Sequence, residues 1–255
     1  MIRKNIIAFT LIILLISIIA QPVQADEFQL PDLRLEINNP DGGTQGEDLV
    51  LSLRILLLLT VLSLAPAILV MLTSFTRVII VLSLIRTAMA TRQMPPNQVL
   101  IGLAIFITVF IMAPVWQQVN TDALQPYLQQ EIDTETMYER GISPIREFMF
   151  KQTREKDLSL FVDMAEIERP NNRDDIPTYV LIPSFVISEL KTAFQIGFMI
   201  YIPFLMIDMI VASTLMSMGM MMLPPVMISI PFKILLFVLV DGWYLVIESL
   251  INTFN

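Results

Sequence analysis

Met216-Ser-Met-Gly-Met-Met-Met-Leu-Pro-Pro225 places five methionines within seven residues, between the apolar stretches Phe185 to Leu215 and Val226 to Ile251. Gly219 and the pair Pro224-Pro225 end a helix and force a turn, because proline lacks the backbone N–H and pushes its predecessor out of the helical region. The two stretches therefore read as a helical hairpin with the methionines at its tip. The same plan occurs earlier, where Val78 to Ala90 and Val99 to Val115 flank Arg92-Gln-Met-Pro-Pro96, with the turn at Pro95-Pro96. A further run, Leu49 to Leu72, carries only Arg54 near its start, has the length of a membrane span and holds Pro66 as a kink. The expectation is an all-α protein of membrane-type helical hairpins, with a first helical region at 49–115 and a second hairpin at 185–255.

Composition points the same way. Of 255 residues, 55% are hydrophobic and 16% charged, with a mean hydropathy of +0.69, too apolar for an ordinary soluble domain. The net charge of -8 and the lack of a clustered basic face argue against nucleic-acid binding. With no cysteine and no histidine, thiol nucleophiles, imidazole bases and soft metal sites are missing. There is also no phosphate-binding glycine loop and no nucleophile elbow. No enzyme activity, catalytic residue, cofactor or metal is expected. At the start of the chain, Arg3 and Lys4, an apolar run from Ile6 to Ala20 and then Gln21-Pro-Val-Gln-Ala25 supply the three parts of a secretory signal peptide, expected at 1–25. An uncleaved first helix is the other reading, weakened by the short run and by Pro22. Residues 26–48, acidic and interrupted by Pro31, Pro40, Gly42, Gly43 and Gly46, read as a flexible lead-in.

Between Trp116 and Pro183, thirteen acids and seven bases alternate with isolated apolar residues, so no run there can span. Segment 116–184 reads as an inserted, mostly helical soluble domain. Ile145, Phe148, Met149, Leu158, Leu160, Phe161 and Met164 fall at about helical spacing. Either this stripe buries within its own domain, or the domain self-associates through Phe148, Phe150 or Phe161, since so short a segment makes a small core. Arg77, Arg86 and Arg92 are grouped near the first tip while the inserted segment is acidic. The positive-inside tendency then puts both tips toward the cytoplasm and the inserted domain on the periplasmic side. A nominal four-span protein results if every hairpin arm crosses, although Val78 to Ala90 is short for a span.

Charges inside apolar segments are the next signal. Glu189, Lys191, Asp208, Lys233 and Asp241 sit in otherwise apolar stretches, and each charge left in hydrocarbon costs at least ~2.5 to 3.5 kcal/mol. Asp208 and Lys233 are equally far from the methionine tip, so an antiparallel hairpin brings them level. They read either as a structural ion pair, within or between subunits, or as part of a proton or ion relay. The methionines have two readings as well: plain apolar filler, or a deformable seal. Met220, Met221 and Met222 are consecutive, so no helix could bury all three on one face. An apolar tip exposed in a monomer calls for something to cover it. Several copies in a ring would converge their tips into a hydrophobic constriction that excludes water.

Thr73-Ser-Phe-Thr-Arg-Val-Ile-Ile-Val-Leu-Ser83, Met94-Pro-Pro-Asn-Gln-Val-Leu-Ile-Gly-Leu-Ala104, Phe194-Gln-Ile-Gly-Phe198 and Pro203-Phe-Leu-Met-Ile-Asp208, together with the methionine stretch, closely resemble the FliP family. These are flagellar export-gate proteins with relatives in virulence-type type III secretion, and the resemblance covers residues 49–255 and the signal peptide. It implies a pore-forming core subunit of the flagellar type III protein export gate, in the bacterial inner membrane at the flagellar basal body, passing unfolded flagellar subunits. It further implies a homo-oligomer of several copies assembled with FliQ and FliR into a helical, tapering complex, helped by FliO and joined to FlhA and FlhB. The resemblance also implies that the apparent spans are bent hairpins lying largely on the periplasmic side once assembled. Carried over to matching positions, Met220, Met221 and Met222 would line the pore as its seal, and Asp208 and Lys233 fall on charged positions of the family pattern. The competing reading is a secondary transporter or ion channel with Asp208 as coupling site, which requires a conducting path within one chain.

Overall fold

The structure is a computed structural model and describes residues 45–91, 93–167, 170, 172–220 and 222–254, with side chains from residue 52 onward. The expected signal peptide, the lead-in as far as residue 44, Arg92 and Met221 lie outside the described residues. Nine α-helices follow one another among the described residues: α1 (Gln45–Leu72), α2 (Phe75–Ala88), α3 (Asn97–Val119), α4 (Gln125–Leu128), α5 (Thr134–Gln152), α6 (Glu155–Met164), α7 (Thr178–Ser217), α8 (Pro225–Leu239) and α9 (Gly242–Asn252). A π-helical turn, Asn120–Leu124, joins α3 to α4, and the described residues contain no strand. Residues 57–255 form one compact unit, which holds α2 to α9 and most of α1; residues 1–56 form another, in which only the start of α1 is described.

Helix α2 sits at the centre of the larger unit. Its buried residues, Arg77, Val78, Val81, Leu82, Ile85 and Ala88, recur at three- and four-residue intervals and so line one face, which packs on α7 and α3. Gly197 of α7 marks the contact. A Cβ there would stand 2.1 Å from Leu84 Cδ1 and 3.1 Å from Leu84 Cβ and Cγ, so a larger residue would require the Leu84 side chain to shift. With 14 residues, α2 is about 21 Å long, against the roughly 30 Å of a hydrocarbon layer. It is a core helix, too short to be among the candidate spans. Among the described residues, three helices are long and apolar enough to cross, Ser52–Leu72, Asn97–Leu128 and Thr178–Ser217, with α8 and α9 a fourth if that bent pair counts as one.

The second half of the chain is organised by α7, 40 residues long with Pro183 and Pro203 inside it. Helices α5 and α6 pack on α7, and their apolar faces join α2, α3 and α9 in a single continuous core. Most of the stripe seen in the sequence is used here, with Phe148 meeting Phe185 edge-on at 5.9 Å and stacking on Phe254 at 6.2 Å, while Leu160 and Met164 stand exposed. The returning arm, read as one run from Val226 to Ile251, is broken. Asp241 takes a left-handed conformation at φ 50°, α8 and α9 meet at a bend of 65°, and Phe237 and Trp243 pack edge to face at 5.3 Å across the corner.

Candidate functional site

The methionine tip begins where α7 ends. Gly219, at φ +77°, takes the left-handed turn that other residues resist. Its N–H donates to Met216 O at 3.0 Å, and Met220 N–H donates to Leu215 O at 3.0 Å, which together satisfy two of the last carbonyls of the helix in a Schellman motif. Pro225 then opens α8 at a position where its missing N–H would have had no helical partner. Met216, Met218 and Met222 are exposed, Met222 to 99%, and Met220 is half-buried. Met221, the middle of the expected seal, lies outside the described residues.

One helical stretch from the tip, Lys233 Nζ of α8 stands 2.6 Å from Asp208 Oδ2 of α7, with the two side chains 2% and 20% exposed. Ser229 donates its hydroxyl to the other carboxylate oxygen of Asp208 at 2.5 Å. Lys233 donates a second time, at 3.2 Å, to the carbonyl of Ala88, the last residue of α2. A lysine at a helix C-terminus meets orphan carbonyls and the negative end of the helix dipole. The pair thus joins the two arms of the second hairpin and ties them to the first.

A second charged centre went unread in the sequence. Arg77, counted there among charges at the first tip, lies in the first turn of α2, 2% exposed, and its guanidinium is paired with fully buried Glu189 of α7. Arg77 Nε donates to Glu189 Oε2 at 3.0 Å and Nη2 donates to the other carboxylate oxygen. The remaining N–H groups reach Gln152 Oε1 at 2.9 Å, Thr253 Oγ1 at 3.0 Å and Thr253 O at 3.2 Å, while the guanidinium lies 3.9 Å from the centre of the Phe254 ring. One side chain therefore fastens α2, α5, α7 and the end of α9. Arg86 does remain at the tip, donating to Pro95 O at 3.3 Å and to Asn97 Oδ1 at 2.5 Å. The signal available for Arg77 was its spacing. It shares a helical face with Val81 and Ile85, so it points inward with them.

The three phenylalanines considered for self-association are divided. Phe148 and Phe150 are buried, Phe150 with the guanidinium groups of Arg146 and Arg173 at 5.5 and 5.9 Å, and Phe161 is half-buried against the core.

Helices of spanning length, two ion pairs tied off between helices and a largely apolar surface left outside define a helical membrane protein. A sequence model described as the FliP family matches residues 58–250. The chain is 58% identical over 219 residues to flagellar biosynthetic protein FliP of Bacillus subtilis (strain 168), covering 86% of this chain and 99% of the relative. To the protein of the same name from Pectobacterium carotovorum subsp. carotovorum it is 55% identical over 215 residues, 84% of this chain and 82% of the relative. For Aquifex aeolicus (strain VF5) the figures are 48% over 229 residues, 89% and 93%. The chain belongs to the FliP family.

Proposed function

We propose that this chain is a pore-lining core subunit of the flagellar type III protein export gate, in which several copies, together with FliQ and FliR, surround a passage for unfolded flagellar subunits. FliO assists assembly, FlhA and FlhB complete the apparatus, and the segment holding α4 to α6 faces the periplasm. The observation that carries this reading is the methionine tip, where thioethers stand at the end of a 40-residue helix with Met222 99% exposed. Apolar surface of that kind calls for a covering partner. Copies arranged around an axis would supply it, each tip covering the next, and a dry ring of thioethers excludes water and ions. Unbranched side chains with three rotatable bonds could part around a passing polypeptide and close again behind it.

In this reading Asp208 and Lys233 fix the two arms of the hairpin at one depth and so hold the tip. A transporter that used Asp208 for coupling would need that carboxylate to exchange partners, whereas both of its oxygens are engaged, by Ser229 and Lys233. The test is to replace Met220, Met221 and Met222 by glycine or alanine and to measure ion permeability of membranes carrying the assembled gate. The expected result is an ion leak with assembly retained; unchanged permeability rejects the seal.

A further inference from the structure

The chain contains no cysteine and 17 methionines, so its sulfur chemistry is thioether chemistry alone. A thioether is oxidised when a two-electron oxidant reaches its sulfur, and susceptibility follows exposure. The methionines of this chain differ widely on that criterion, and Met222 stands at its far end. Met112 and Met149 are fully buried and Met89 is 6% exposed, whereas Met216 and Met218 are 61% and 66% exposed and Met222 is 99% exposed. Met94 and Met164, at 71% and 70%, are as exposed at the first hairpin's turn and at the end of α6, and Met199, Met206 and Met209 lie along α7, an apolar helix of spanning length, where lipid or protein replaces water. The tip differs in standing beyond the end of that helix, and a Cβ built on Gly219 would meet nothing within 4 Å. It also differs in density, because no other stretch of the sequence places so many sulfurs so close together.

We infer that the tip methionines, Met218 and Met222 foremost, are an oxidant-modification site whose conversion to sulfoxide opens the seal, a step that rests on the seal reading given above. With hydrogen peroxide the chemistry balances. The sulfur lone pair attacks one peroxide oxygen, the O–O bond breaks, an S=O bond forms, and the second oxygen leaves as water after a proton shift. Sulfur gives up two electrons and the peroxide takes them. The product is polar where the thioether was apolar, so each sulfoxide brings a hydrogen-bond acceptor, and with it water, into a constriction that works by excluding water. The change is reversible, since methionine sulfoxide reductases return the thioether. The gate would thus carry its own oxidant-sensitive element, built without any thiol.

The experiment has two arms on the full chain. In detergent solution, graded hydrogen peroxide followed by peptide mass measurement gives the oxidation rate at each methionine; Met218 and Met222 are expected to react about tenfold or more faster than Met112 and Met149. Equal rates overturn the proposal. In membranes carrying the assembled gate, peroxide should raise ion permeability severalfold, and methionine sulfoxide reductase with a thiol reductant should reverse it. A variant with Met216→Leu, Met218→Leu, Met220→Leu, Met221→Leu and Met222→Leu, nearly unchanged in volume and apolarity, should stay closed before and after peroxide. A leucine variant that leaks after peroxide as the wild type does, or a wild type that does not respond, overturns the proposal. The glycine variant separates the two ideas. If it leaks while peroxide leaves the wild type closed, the oxidation proposal alone falls; if it does not leak, the seal reading falls and this inference with it.

Discussion

Two regions of this chain handle their exposed or charged groups in opposite ways. At Arg77, every side of the guanidinium has a partner inside the chain. Glu189, Gln152, Thr253 and the Phe254 ring surround it, and four helices are joined by it. At the methionine tip, by contrast, apolar groups reach outward, and Met222 is almost as exposed as a side chain can be. The first region is complete in one copy. The second leaves apolar surface uncovered, which the proposed assembly of several copies would cover, and the difference separates what holds the chain together from what it offers to such an assembly.

Breaking the first region should have the largest effect. Arg77→Ala leaves Glu189 buried without its cation, and removal of one partner from a buried ion pair costs about 3 to 5 kcal/mol. The expected outcome is loss of accumulated protein in membranes, read by immunoblot, with Glu189→Ala nearly as severe. Normal levels of Arg77→Ala would show that the four-helix junction is not what holds the subunit together.

Asp208 and Lys233 lie between the two regions and should give an intermediate effect with a definite asymmetry. Asp208→Asn strands a lysine that is 2% exposed, while Lys233→Met leaves a carboxylate that is 20% exposed and still hydrogen-bonded to Ser229. Loss of a buried partner of this kind costs about 1 to 3 kcal/mol, so Asp208→Asn should lower thermal stability more than Lys233→Met. The exchange of both residues should recover part of the loss. Equal effects from the two single changes, or an exchange no better than either, would remove the pair from the account.

The smallest effect is expected at the start of α5, where Asp133 accepts a hydrogen bond from Thr136 N–H at 3.0 Å. Its hydrogen bonds with Thr136 hold the carboxyl below its ordinary pKa of 3.8. A carboxyl group lowered in this way stabilises the fold above its unfolded-state pKa, and the contribution is lost as pH falls through the lowered value. Asp133→Ala should reduce the melting temperature slightly at neutral pH and make no difference at strongly acidic pH. An equal reduction at both would indicate packing, not the carboxylate.

The all-helical character was legible from long apolar runs punctuated by paired prolines, and the level placement of Asp208 and Lys233 from a count of residues on either side of the tip. Other features were hidden for physical reasons. Arg77 and Glu189 are separated by 112 residues, and no local period links two groups that meet only when α2 docks on α7. The break between α8 and α9 left a local signal, Asp241-Gly242, a turn dipeptide inside an apolar run. The sign of Arg77 groups it with the tip charges Arg86 and Arg92, whereas its spacing with Val81 and Ile85 marks it as inward-facing.

The central claim is that the methionine tips of several copies meet. Since the chain has no cysteine, Met222→Cys introduces one thiol per copy, and treatment of assembled gates in membranes with a short bifunctional thiol reagent reads the proximity of the tips directly. Cross-linked species of this chain with itself are the predicted result, while Phe148→Cys, with its thiol in the core, should give none. Assembled gates in which Met222→Cys stays monomeric under the same treatment would contradict the account.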